Sequence, residues 1–394
     1  MSEKTLKIAV IGLGARSALA TKALGPEQNC ELVAAVEPSP KAKERLAQRI
    51  GLEVPIFSSV EELRDIPLDA AFVTSPDDTH AQVTIELLNR GVAVYLEKPL
   101  AIKLEDATAI LQTAYRTKTP LYLGHNMRHM QVVRGLKRII DEGLIGPVKA
   151  IWCRHFVGSG GDFYFKDWHA QREHVGGLLL QKAAHDIDVM HWLANGHATR
   201  VVGMGGLTLY GDLEARGGQG DKLMPEWHSL KNWPPRTQTG LADQIDVEDL
   251  SMMLMELNNG VFCSYQQCHY TPDYWRNYTV IGEAGRAENF GDGEGGVIRV
   301  WNQRRYYSAQ GDLEFPIEGD ANGHDDADQL TVNEFLDFVR YGTPTDTNPL
   351  GAWWAVAAGL GATDSIRQGN QPVAIDELPA ELCEYFLQGQ PGPR

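Results

Sequence analysis

Apolar positions in the first third of the chain fall into short runs separated by stretches of helical period. Residues 7–11, 31–36, 70–73, 92–96 and 121–123 each read as a buried strand, because strands covered on both faces lose the polar alternation. Helical stretches run to about Leu24, to about Arg90 and over 104–117. Strand and helix in alternation specify an α/β architecture with a doubly wound parallel sheet. After Gly124 the pattern changes to a helix over about 127–142, then longer segments at 149–156, 201–209, 250–257 and 261–268, which 278–282 and 297–301 could join. These alternate or run apolar, as expected of an α+β half with an open, mostly antiparallel sheet that leaves one face exposed. Two helices over about 328–341 and 351–367 close the chain, and 210–244, rich in Gly, Pro, Trp and charge, has no period. A stretch that long without regular structure reads as a lid, an oligomer arm or a mobile insertion. The expected domains are 1–125 and 126–394, with the closing helices able to pack back on the first.

Four strand ends in the first domain carry candidate chemistry. The run 7–11 leads into Gly12-Leu13-Gly14-Ala15-Arg16-Ser17 and a helical stretch, the context that a dinucleotide fingerprint requires. Gly12 would permit the tight turn and Gly14 would let backbone approach a pyrophosphate; Ser17 stands where a third glycine is usual. The second run ends in Glu37, placed to accept hydrogen bonds from a ribose diol and to repel a 2′-phosphate. That favours NAD, while Lys41 and Lys43 leave NADP open; a purely structural βαβ unit with a capping glutamate is the other reading. The fourth run ends in Glu97-Lys98-Pro99, where an X-Pro bond would turn the chain and aim Lys98 into the crevice at the sheet's carboxyl edge. The alternative there is an exit turn with a solvated lysine. At the third run's end, Asp78 or Thr79 reads equally as a helix cap or a nucleotide contact.

In the second half, Gly176-Gly177 opens a stretch to Leu193 that reads as one helix. Spacings of three and four put Gln181, His185 and Asp188 on one face, with Lys182 one step around. A buried polar face is satisfied by partners or serves a ligand. Upstream, Tyr164 to His169 combines aromatic and polar groups, a wall that suits sugar rings; ordinary packing of Trp168 is the alternative. His185 and His191 are six apart, which is not metal-ligand spacing on a helix, so no metal site is expected.

The chain's 394 residues suit about two domains. Asp and Glu outnumber Lys and Arg by 52 to 36, a net charge of −16, which argues against nucleic acid or anionic membranes as partners. Five scattered cysteines without a C-x-x-C pair read as reduced thiols of a cytoplasmic protein. The amino-terminal residues lack an apolar stretch long enough for export or a membrane span.

Taken together, Gly12-x-Gly14, the 74–80 turn, Glu97-Lys98-Pro99, the Gly176-Gly177…His185…Asp188 helix, Tyr278-Thr279-Val280-Ile281-Gly282 and the closing helices resemble the Gfo/Idh/MocA family of nicotinamide-dependent sugar and cyclitol oxidoreductases. The resemblance implies an N-terminal Rossmann domain followed by the α+β domain, with substrate between the second sheet and the nicotinamide. It makes Lys98 the orienting cation and His185 the acid or base, and it gives a cofactor-binding set of Gly12, Gly14, Ala15, Arg16, Glu37, Thr74, Ser75, Pro76, Asp78, His80, Glu97 and Lys98. Arg128, Trp168, His169, Gln181 and Lys182 join Lys98 and His185 as candidate substrate contacts, and His269, Trp275, Arg276 and His324 are placed near the pocket by resemblance alone. Gln181 stands where many relatives carry aspartate, and glutamine accepts no proton at neutral pH. The implied activity is NAD-dependent oxidation of a secondary hydroxyl on a sugar, glycoside or cyclitol, by a homodimer or homotetramer built on the second sheet. A redox-assisted glycoside hydrolase or lyase that recycles bound NAD is one alternative, and a non-catalytic nicotinamide-binding sensor is another.

Overall fold

The computed structural model describes residues 4–319 and 324–391, with backbone alone for His324 and Asp325. Contacts group the chain into two units: one holds residues up to Asn126 with Asp328–Trp353 and the chain from Glu377, and the other holds Met127–Ala327 and Trp354–Asp376.

The first unit is built on six parallel strands, β1 (Leu6–Ile11), β2 (Cys30–Val36), β3 (Ile56–Phe57), β4 (Ala70–Val73), β5 (Ala93–Leu96) and β6 (Leu121–Leu123), in the order β3-β2-β1-β4-β5-β6. Strand order reverses between β2-β1 and β1-β4, so a crevice opens at the carboxyl ends of β1 and β4. The central strands are buried on both faces, as their unbroken apolar runs require. The helix His324–Tyr341 closes this core from late in the chain. Phe335 contacts the rings of Phe72, Tyr95 and Tyr122 at centroid distances of 5.5, 5.6 and 5.8 Å. Beside it, the Tyr122 hydroxyl donates to Glu334 at 2.6 Å.

The second unit is built on β7 (Val148–Val157), β8 (Ala198–Gly206), β9 (Leu250–Leu257), β10 (Phe262–Cys268), β11 (Tyr274–Gly282), β12 (Arg286–Phe290), β13 (Val297–Trp301), β14 (Leu313–Pro316) and β15 (Val373–Ala374). Their order is β14-β13-β12-β11-β7-β10-β9-β8-β15, antiparallel throughout except where β10 runs parallel to β7. Alternation sends Cys153, Tyr265, Met253 and Val201 into the core and Trp152, Met204, Met252, Leu254 and Phe262 to solvent on the opposite face. Cross-strand register puts Met204 opposite Met252, Trp152 opposite Ser264 and Ser264 opposite Leu254, so the exposed apolar residues are neighbours.

Three local expectations are corrected. The stretch read as one helix after Gly177 is two segments, Leu178–Gln181 and Ala184–Ala194. They are joined by a turn in which the Ala183 N–H reaches back five residues to Leu178 O, at 3.1 Å. The helix expected over 127–142 is a 3-10 turn, Asn126–His129, followed by Gln131–Asp141. Residues 207–209 lie beyond the end of β8. The stretch from Tyr210 to Gln244 has short 3-10 turns and an isolated bridge between Arg216 and Leu241, yet it is pinned: buried Asp162 accepts from Asn232 Nδ2 at 2.8 Å and Ser229 N at 3.2 Å, and Trp227 Nε1 donates to Asp162 O. Irregular backbone held by one buried carboxylate satisfies its polar groups without a ladder.

Candidate active site

Gly12 turns the chain after β1 with φ +86°, and a Cβ there would meet Ser75 Cα at 2.5 Å, so no L side chain fits between the β1 and β4 exits. At Gly14 an added Cβ would come no closer than 4.0 Å, to Thr74 O. The fold therefore does not require Gly14, and the bare backbone leaves room for a group approaching from outside. Ala15 is exposed there, and Ser17, where a third glycine is usual, is buried and donates to Gly14 O at 2.7 Å. The Glu37 carboxylate accepts from Leu13 N at 2.8 Å and Ser39 N at 3.0 Å, with Arg45 at 3.4 Å. Its Oε2, bonded to Leu13 N, keeps a lone pair for a diol hydroxyl. Together the turn, the open face of Gly14 and the carboxylate at the end of β2 fit a dinucleotide.

Thr74 donates to Gly12 O at 2.8 Å, and the hydroxyls of Ser75 and Thr79 are 2.6 Å apart. Pro76 and Asp78 are exposed, whereas His80 is buried with its two ring nitrogens 2.7 Å from Pro99 O and 3.1 Å from Ser75 O. His80 thus braces the β4 turn against the Lys98-Pro99 turn, whose peptide bond is cis. Arg16 donates to Glu97 Oε1 through Nε (2.9 Å) and Nη2 (2.7 Å), and to both oxygens of Asp328 at 2.8 and 3.0 Å. Asp328 also accepts from Asn126 at 2.7 Å, and the other oxygen of Glu97 accepts the Lys98 N–H at 3.1 Å. The carboxylate before Lys98 therefore fixes the backbone on which that lysine is carried.

In the second unit, Gly176 (φ +72°) and Gly177 (φ +156°) reverse the chain into Leu178–Gln181. Gln181, Lys182 and His185 are buried, but Gln181 and His185 sit on different segments, so their spacing of four crosses the break. Asp188 accepts from Arg128 Nε at 2.7 Å and Nη2 at 2.6 Å, and the guanidinium lies 5.6 Å from the Trp192 ring centre. Trp168 stacks on His169 at 3.7 Å, and His169 Nδ1 lies 2.7 Å from Asp167. His269 is buried with Nδ1 3.2 Å from Asp249 O, while Trp275 stacks on Phe156 at 5.6 Å. The His324 side chain lies outside the described residues.

Two features escaped the sequence reading. The first is Asp186, fully buried, which accepts from Arg276 Nε at 3.0 Å, from His155 and Tyr265 at 3.1 Å, and from Tyr278. Burial alone would raise its pKa, but Arg276, His155 and these hydrogen bonds outweigh burial and hold the carboxyl well below the usual range. The second is Lys182 Nζ donating to the Tyr274 hydroxyl at 2.7 Å. Burial would raise the Tyr274 pKa, yet Lys182 and Arg276 bring it below that of an ordinary phenol. Tyr274 and Arg276 are two apart on β11, and strand alternation puts them on one face. That period was the available signal; the 92-residue separation of Lys182 and Tyr274 was not readable.

Parallel sheet, glycine turn and carboxylate are the parts of a Rossmann dinucleotide-binding domain. The model of the oxidoreductase family with an NAD-binding Rossmann fold matches residues 6–125, and the GFO/IDH/MocA C-terminal domain matches 133–288. The chain belongs to the Gfo/Idh/MocA family. It is 25% identical to the scyllo-inositol 2-dehydrogenase (NAD(+)) of Bacillus subtilis over 95% of this chain and 97% of that one. It is 24% identical to the putative oxidoreductase YteT of the same organism over 60% of this chain, spanning only 64% of YteT's length. The solved structure of a levoglucosan dehydrogenase, in complex with NADH and levoglucosan, superposes with a TM-score of 0.76 at 17% identity, covering 95% of this chain and 100% of that one. Among the described residues no helix is long and apolar enough to cross a membrane, and no cluster of His, Cys, Asp and Glu could hold a metal ion.

Proposed function

We propose that the protein transfers hydride between NAD and a secondary hydroxyl of a sugar, glycoside or cyclitol. The observation that carries this reading is the ammonium-bearing Lys98, set at the carboxyl end of β5 by Glu97, in a chain of this family. Gly12, Gly14 and the 74–80 turn would hold the dinucleotide, and Glu37 would take the adenosine ribose diol, which favours NAD over NADP. When bound, the cofactor supplies the hydride acceptor. Lys98 would orient the reacting hydroxyl and His185 would act as the base that takes its proton. Arg128 acts by locking Asp188, and Trp168 with His169 offers an aromatic wall to the ring's C–H face.

A homodimer or homotetramer through the exposed face of the second sheet accounts for Leu254 and Phe262 standing 61% and 60% exposed beside Trp152. Five cysteines that form no disulfide suit a cytoplasmic setting. The deciding experiment incubates the protein with NAD and a panel of cyclitols, free sugars and glycosides, following NADH absorbance and product mass. NADH rising in step with a product two hydrogens lighter supports the reading; glycoside cleavage without NADH would replace it with a redox-recycling hydrolase or lyase.

A further inference from the structure

Arg16 follows the glycine turn, and the family resemblance counts it among the cofactor contacts. Its hydrogen bonds go elsewhere. Nε and Nη2 donate to one oxygen of Glu97 at 2.9 and 2.7 Å, and Nη1 and Nη2 donate to the two oxygens of Asp328 at 2.8 and 3.0 Å. Four of the five N–H groups that an arginine owns are thus spent on carboxylates. The Glu97 and Asp328 side chains are 6% and 8% exposed, so the guanidinium cannot leave for a phosphate without stranding two buried anions side by side. With one positive charge between two negative ones, the cluster as a whole repels a phosphate.

The cluster joins four segments of the first unit. Arg16 stands after β1 and Glu97 after β5, with the exit of β4 between them in the sheet order. Asp328, in the helix His324–Tyr341, accepts from Asn126 just beyond β6 at 2.7 Å. Beneath, the Tyr95 hydroxyl on β5 donates to Thr331, which donates to the Asp328 carbonyl oxygen, so the helix turn that bears Asp328 is itself tied to β5. The second oxygen of Glu97 accepts the Lys98 N–H at 3.1 Å. On the other side of that lysine, the Pro99 carbonyl oxygen lies 2.7 Å from His80 Nδ1. Lys98 is therefore held through both of its neighbours in the chain.

We propose that Arg16 is a positioning residue for Lys98 and not a contact of the cofactor's phosphates: through Glu97 it sets where the lysine's backbone lies. This rests on the oxidoreductase reading and adds to it the residue that orders its cation. The planar fork of an arginine meets Glu97 along one edge and both oxygens of Asp328 along the next. A lysine in its place keeps the charge without fixing those directions. That difference separates positioning from charge balance.

The test compares Arg16→Gln and Arg16→Lys with the unaltered protein in three measurements. These are hydrogen exchange at the Lys98 amide, NAD affinity by titration calorimetry without substrate, and kcat and KM on the panel substrate that yields NADH. Should Arg16→Gln, which leaves two buried carboxylates without a cation, not fold, Arg16→Lys keeps the charge and carries the test. Expected in Arg16→Lys are a melting temperature close to that of the unaltered protein, faster exchange at Lys98, unchanged NAD affinity and a kcat lower by about a hundredfold, the cost of a small misplacement of a reacting group. A loss of NAD affinity of about tenfold or more, the size of a charged hydrogen bond, overturns the proposal and makes Arg16 a phosphate contact. Full kcat in Arg16→Lys also overturns it and reduces the residue to a counter-charge. Either result leaves the oxidoreductase reading standing. No NADH from the unaltered protein on any substrate overturns that reading; faster exchange in Arg16→Lys then supports the link to Lys98, and unchanged exchange overturns it.

Discussion

Arg128 and Asp188 meet through two parallel hydrogen bonds of 2.7 and 2.6 Å, both side chains buried, sixty residues apart in the chain. A planar guanidinium matches a carboxylate in this way better than any ammonium could. Asp188→Ala leaves a guanidinium buried without its anion, and should destabilise the second unit by about 3–5 kcal/mol. Urea midpoints of the two proteins check this; a shift under about 1 kcal/mol would show that Arg128 finds another partner.

Gly12 and Gly14 should separate fold from cofactor. Gly12→Ala drives a Cβ into Ser75 backbone at a positive φ, costing at least about 1–2 kcal/mol from the conformation alone. Gly14→Ala meets open space. It should keep the melting temperature while weakening NAD binding, which titration calorimetry would read.

Lys98→Met retains the hydrocarbon stem and removes the ammonium. With Glu97 still holding the backbone through the Lys98 N–H, NAD affinity should be unchanged and turnover should fall below detection. A variant that turned over within tenfold of the unaltered protein would remove Lys98 from the reaction.

Acid should loosen the fold through two buried histidines. His191 accepts the Ala198 N–H at 3.2 Å through Nε2, and burial outweighs the pull of Asp188 to bring its pKa to about 3. His269 is lowered by burial to about 3 as well. An unfolded histidine titrates near 6.5, so between about pH 6.5 and 3 the unfolded chain binds more protons than the folded one. Stability therefore rises with pH across that window and is lost as pH falls, each histidine adding a slope of up to about 1.4 kcal/mol per pH unit. His191→Gln should flatten that slope in urea denaturation at a series of pH values.

Leu254→Asp and Phe262→Asp, on the open sheet face, should abolish the proposed oligomer at little cost to the protomer's fold. Light scattering of the unaltered protein giving a monomer mass would refute the oligomer outright.

What could be read from the chain was what its own neighbours dictate. Gly12 after an apolar run, Glu97-Lys98-Pro99 at a strand end, and the alternation that leaves one face of the second sheet open are short-range patterns. All three stand in the structure where the pattern put them. The polar helix face was legible as composition but not as geometry, because the turn at Lys182–Ala183 breaks the period that joined Gln181 to His185. Arg16 with Asp328, Arg128 with Asp188 and Lys182 with Tyr274 are pairings across long loops. No local propensity encodes them, and each of these side chains could have paired elsewhere. Asp186, the most heavily bonded carboxylate described here, looked like one more residue in a helical run.

Phe335 lies on the aromatic rings of the first unit's sheet, and Asp328 lies on the arginine of its glycine turn. A ribosome releases residues in order, so the nucleotide-binding half, begun first, receives its last wall only after some two hundred intervening residues have been made. Until then one face of β4, β5 and β6 is bare aromatic surface. The early half of the newborn chain is thus the part most in need of a chaperone's cover, although it is the half whose pattern is plainest to read.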